Sequence, residues 1–99
     1  MTDNISHAKN NINSENYEIA LQFLDKELEQ NPNKITNEIF YYKGIVLTHI
    51  GAIKGEKLLI KSGIQFLERL VASELDCDLI HFPDIKEKLD WARKKRDEL

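Results

Sequence analysis

Cys77, the only cysteine, stands among residues capable of chemistry: Asp76 and Asp78 flank it, His81 follows, and Asp84 and Glu87 lie close behind. Carboxylates at these spacings begin to match a helix–loop–helix calcium site. Ile80 stands where an oxygen ligand is required, and His81 where glycine permits the sharp turn, so calcium is not expected. Closed zinc sites draw on several Cys and His at tight spacing, which this segment does not supply. Cys77 with His7, His49 or His81 would make a nucleophile and a base. No local signature, glycine-rich phosphate loop or strand–turn–helix elbow accompanies them. No catalytic residue, metal or cofactor is expected, and the chain reads as a non-enzyme. What remains for Asp76, Asp78 and Asp84 is electrostatic: a solvated acidic linker, or a landing place for a basic protein.

The charge pattern agrees. Net charge is −3 over the 99 residues. It is distributed as −3 in residues 1–34, +2 in 35–70, −4 in 71–85 and +2 in 86–99. A short acidic stretch beside mixed-charge helices suits a basic protein better than a phosphate backbone. The basic run Arg93-Lys94-Lys95-Arg96 is bracketed by Asp90, Asp97 and Glu98. It reads as a solvated helix end whose cations suit the dipole. An RNA contact is a lower-ranked alternative, because such proteins show a larger basic face with stacking aromatics.

With 31% charged and 41% hydrophobic residues, the composition is that of an ordinary globular domain. A chain of this size buries about 65% of its unfolded surface, enough for one core. A lone cysteine suits a reducing compartment. No apolar run approaches the roughly 20 residues that span a bilayer. Met1-Thr2-Asp3-Asn4 lacks a secretory pattern. The closing Arg96-Asp97-Glu98-Leu99 resembles a retention signal that has no meaning without one. A cytoplasmic location is expected. The Asn-, Ile- and Lys-rich usage hints at an AT-rich bacterial gene.

Five helices must position these residues, and no stretch alternates as a strand does. The first runs from about Asp3 through Ile5, Ala8 and Ile12, and Asn13 to Asn16 break it. The second runs to about Gln30, with Tyr17, Ala20, Leu21, Leu24 and Leu28 on one face. Glu18, Gln22, Asp25 and Glu29 lie on the other. The third, from about Thr36 to Ile50, is apolar around most of its circumference and belongs in the middle; Gly51 is expected to close it. Gly55 marks a further weak point. A long fourth helix reaches about Leu75, with Ile60, Ile64, Leu67 and Val71 at helical spacing. After an acidic linker, Pro83 and Asp84 open a last helix that places Ile85, Leu89 and Ala92 on one face, with Trp91 beside them.

Two nine-residue stretches share Gln, Phe and Leu at matching places and exchange Ala for Gly, Leu for Ile, Asp for Glu and Lys for Arg: Ala20-Leu21-Gln22-Phe23-Leu24-Asp25-Lys26-Glu27-Leu28, and Gly63-Ile64-Gln65-Phe66-Leu67-Glu68-Arg69-Leu70-Val71, 43 residues on. Such a copy marks a supersecondary unit used twice. The first copy, with Asn16-Tyr17-Glu18, Ala20, Phe23-Leu24, Leu28 and Asn31-Pro32-Asn33, resembles the second helix of a tetratricopeptide repeat. Small residues at Ala8 and Gly44 on the first helices, and at Ala20 and Gly63 on the second, would let paired helices approach closely. The second copy carries about seven extra residues around Ala52 to Leu58. The family's usual aromatic near the start of the first helix is missing at Ile5, though Phe40 could serve in the second copy.

The expected fold is therefore all-α: two tetratricopeptide-like antiparallel hairpins plus a C-terminal capping helix. The pieces are residues 1–34 and 35–75, an acidic linker at 76–83, and a cap at 84–99. By this resemblance the first helix of each hairpin lines a groove. Tyr41, Ile45, Thr48 and His49 would face it in one copy, and Ile5, Lys9 and Ile12 in the other. The partner-binding candidates are Glu38, Tyr41, Tyr42, His49, Asp76, Asp78 and Asp84, with Glu18, Asp25 and Glu29 as a second acidic patch. The expected function is non-catalytic protein binding. By type the chain resembles a contact-dependent inhibition immunity protein that covers a basic toxin domain. A generic adaptor or chaperone holding a peptide in its groove is the alternative. The sequence is silent on homo-oligomers.

Overall fold

In the computed structural model, residues 4–31, 37–72 and 82–99 are described. Five helices carry all their regular structure: α1 (Asn4–Asn13), α2 (Tyr17–Gln30), α3 (Asn37–Lys54), α4 (Lys57–Ala72) and α5 (Ile85–Asp97). The architecture is all-α. Among the described residues no helix is long and apolar enough to cross a membrane.

The first hairpin is antiparallel. Asn4, opening α1, donates from Nδ2 to Glu27 Oε2 and Gln30 Oε1 at the end of α2, each at 3.0 Å. Its turn is a Schellman motif, in which the amide of Asn16 reaches Asn11 O at 2.7 Å and that of Glu15 reaches Ile12 O at 3.0 Å. This puts Glu15 at φ +63°, a backbone that L side chains rarely adopt.

The second hairpin turns in the same way, but not where the sequence suggests. Gly51 does not close α3. The helix runs on to Lys54, and Gly55 at φ +69° makes the left-handed residue while Glu56 N bonds Gly51 O at 2.8 Å. Gly51 serves helix contact instead: a Cβ there would lie 2.7 Å from Ile60 Cγ1 and 2.8 Å from Glu56 O.

Counting from the small residue on each first helix, the left-handed residue comes seven positions later in the first hairpin and eleven in the second. From there to the next small residue is five positions and then eight. The seven extra residues are thus split four and three, about one turn on each arm. Both apolar stripes keep their register, and the hairpin becomes taller.

At the centre of the duplicated words the surroundings correspond, whereas at their ends buried Leu70 stands where the first copy has the partly buried Glu27. Leu24 and Leu67 are both fully buried. Phe23 stacks on His7 of α1 at 4.8 Å, and Phe66 stacks on Phe40 of α3 at 5.7 Å. Gly44 and Gly63 cross closely, since a Cβ on Gly63 would meet Gly44 O and Thr48 Oγ1, each at 2.6 Å. Ala8 and Ala20 are fully buried in one shared cluster. On α4 the buried stripe runs Ile60, Gly63, Ile64, Leu67, Leu70; Val71 is turned outward, so Leu70 takes the place expected for it.

α3 packs against every other helix, as its all-round apolarity requires. Val46 and Ile50 join the α1–α2 cluster, while Tyr41 and Ile45 join α4 with Ile85, Leu89 and Ala92 of α5. α2 and α3 also run antiparallel: Lys43 Nζ pairs with Asp25 Oδ1 at 2.9 Å, and Lys54 Nζ with Glu18 Oε1 at 2.7 Å.

Candidate docking site

The added turn on each arm decides what the surface offers. Ile53 continues the Val46–Ile50 stripe to the level of the first turn of α2, where the first hairpin ends. It is 72% exposed. Leu58, in the first turn of α4, points away from the Ile60 side and is 77% exposed. Both belong to the seven extra residues, and they are the two most exposed of the exposed large apolar side chains among the described residues.

Beside Ile53 lies a shallow notch of about 310 Å³, lined by Glu15, Asn16, Tyr17, Glu18, Ile19, Ile50, Ile53 and Lys54. Ile19, 45% exposed, faces the same space. The rim is charged. Lys54 is paired with Glu18, and that hydrogen bond raises its pKa above the ordinary lysine value. Glu15 stands at the other edge. The notch can seat one or two apolar side chains of another molecule and offers the Glu15 carboxylate to a cation beside them.

Tyr17 forms its inner wall and leads into the molecule. Its ring stacks on His49 at 4.2 Å and 7°, and His49 in turn meets Trp91 of α5 at 4.6 Å. One ring column thereby joins α2, α3 and α5. Burial holds the His49 pKa below the ordinary imidazole value, Lys88 and Lys95 push it the same way, and Glu15 opposes them. Burial, with Glu15 second, raises the Tyr17 phenol.

The residues singled out from sequence fall into separate places. Tyr41 and Asp84 are brought together: the Tyr41 hydroxyl lies 2.8 and 2.7 Å from the two Asp84 oxygens and donates to the carboxylate. Tyr41 is 8% exposed, and burial, followed by this bond, raises its pKa. Tyr42 sits edge-on to Tyr41 at 5.2 Å, with Lys9 Nζ 5.9 Å from its ring centre. His49 belongs to the ring column. Glu38 is in the first turn of α3, half-buried, where its charge suits the positive end of the helix. Asp76 and Asp78 lie outside the described residues.

The groove expected along α3 is occupied by α5. Tyr41 and Ile45 are buried against Ile85, Leu89 and Ala92, and Thr48 is fully buried with its hydroxyl donated to Gly44 O at 2.8 Å. In the second acidic patch, Glu18 and Asp25 are paired to α3 and Glu29 is exposed. Ile19, Ile53 and Leu58 went unremarked in the sequence, although a signal was there: apolar residues at the tip of an inserted segment, beyond the reach of the neighbouring hairpin. No protein-family model, curated protein or solved structure matches this chain.

Proposed function

We propose that this chain is a non-catalytic protein-binding module and, in its most specific form, an immunity protein. It would neutralise a cognate bacterial toxin by covering the toxin's active or substrate-binding surface. The observation that carries this reading is the apolar tip. A seven-residue lengthening of a duplicated hairpin holds Ile53, beside the notch, and Leu58, in the first turn of α4, out in water, where neither side chain is buried in the core. Docking another protein accounts for it. The carboxylate of Glu15 at the rim, where Glu18 is already paired with Lys54, and a net charge of −3 favour encounter with a basic domain. The adaptor reading ranks second, because the face of α3 on which a peptide would lie is covered by α5.

Gene neighbourhood and co-expression test the proposal: a toxin gene should lie directly upstream, and the chain should be produced together with that toxin's domain. The chain should protect cells and bind that domain in calorimetry. Ile53→Glu with Leu58→Glu should weaken binding about 30-fold or more while leaving helicity unchanged. Absence of protection overturns the immunity reading, and binding indifferent to both substitutions overturns the tip as the docking surface.

A further inference from the structure

The ring column gives the notch a connection to the rest of the fold. Tyr17 lines the notch and lies flat on His49, and His49 meets Trp91 at 4.6 Å with the rings tilted by 51°. The charges around the imidazole come from both flanks. On α5, Lys88 and Lys95 stand three residues before and four after Trp91, on the same helical face. Lys95 also pairs with Glu98 at 3.6 Å. From the α1–α2 turn comes Glu15, which is itself part of the notch rim. From α2 comes the Tyr17 phenol. On α1, Lys9 is engaged with the Tyr42 ring, two turns back along α3.

We propose that His49 is a proton-operated coupler between the notch and α5, so that docking of a basic partner at the notch weakens as His49 takes up a proton. Neutral imidazole lies flat on the Tyr17 ring, with Trp91 in contact at a tilt of 51°. The imidazolium adds a cation beside Lys88 and Lys95, which loosens the α5 side, and it draws on the charge of Glu15 from behind. A partner cation at the rim competes for that same carboxylate. Docking therefore expels the proton and the proton opposes docking, by the same factor in each direction. The inference rests on the notch being the partner's site, but its central claim is tested in the free chain.

The sign for stability follows from the depressed folded-state value. Between the His49 midpoint and the ordinary value of 6.5 the unfolded chain binds more protons. The contribution of His49 is complete above 6.5 and is lost as pH falls through the folded midpoint. Each unit of depression makes opening about tenfold easier in acid.

Imidazole NMR titration of the purified chain should place the His49 midpoint below 6.5. The methyl signals of Ile19 and Ile53 should move with that same midpoint. In acid, amide exchange in α5, corrected for its intrinsic pH dependence, should quicken. His49→Phe keeps a flat ring and should abolish both responses. Lys95→Gln, which leaves the rings in place, should raise the midpoint; Lys88→Gln, which also removes an ammonium 5.9 Å from the Trp91 ring centre, should raise it too, and Glu15→Gln should lower it. A midpoint at or above 6.5, or notch methyls that titrate identically in His49→Phe, overturns the coupler and leaves the binding-module reading standing. A normal coupler in a chain that fails to protect cells would overturn the immunity reading and leave the coupler standing.

Discussion

The two hairpins solve the same problem with different residues. In α1–α2 the crossing is made by two alanines, the turn by a glutamate forced to φ +63°, and the hairpin stops where its core stops. In α3–α4 the crossing is made by two glycines, the turn by a glycine at φ +69°, and the arms rise a further turn. A glycine crossing brings backbones close enough for Thr48 to seat its hydroxyl over Gly63. The second hairpin is thus the closer-packed of the two at its waist and the more exposed at its tip. The comparison separates what holds the fold from what the fold displays.

The largest expected effect lies at the waist. Gly63→Ala sets a methyl 2.6 Å from Gly44 O, a backbone atom that moves only if the helices part. Overpacking of this kind costs about 3 kcal/mol, read as a shift of the denaturant midpoint at constant slope. The counterpart Ala20→Gly should cost about 2 kcal/mol, half from helix propensity and half from the loss of a fully buried methyl. Equal costs would mean that the two crossings are not different after all.

The turns should respond with opposite signs. Glu15→Gly removes a left-handed strain and should stabilise by about 1 kcal/mol, whereas Gly55→Ala introduces that strain and should destabilise by about 1 kcal/mol. Thermal unfolding of the two variants checks this, and the same sign in both would refute the parallel between the turns. The smallest effect belongs to the surface pairing that joins the hairpins. Asp25→Asn, which breaks the partly exposed contact with Lys43, should cost about 0.5 kcal/mol and less at high salt.

Much of the architecture was legible because it is local. Ala20, Leu24 and the Phe23 ring repeat as Gly63, Leu67 and the Phe66 ring, and helical spacing alone puts each set on one face. The end of α3 was not legible. Gly51 and Gly55 are both glycines after an apolar run, and only the packing of Ile60 against Gly51 shows which of them stays helical. Of the candidate site, Tyr41, Tyr42 and His49 were found as residues but not as neighbours. Tyr41 meets Asp84 across 43 positions, and no periodicity reports such a contact.

By itself the sequence determined an all-α chain with a duplicated hairpin, a central α3 and a covering last helix. Those properties depend on 3.6-residue periodicity, small residues and breakers, each readable within a turn or two. Tertiary structure alone decided that α5 lies on α3, that Tyr17, His49 and Trp91 share one column, and that Ile53 and Leu58 meet water. Each depends on which distant surfaces come together and where one helix ends beside another, and local spacing carries no record of either.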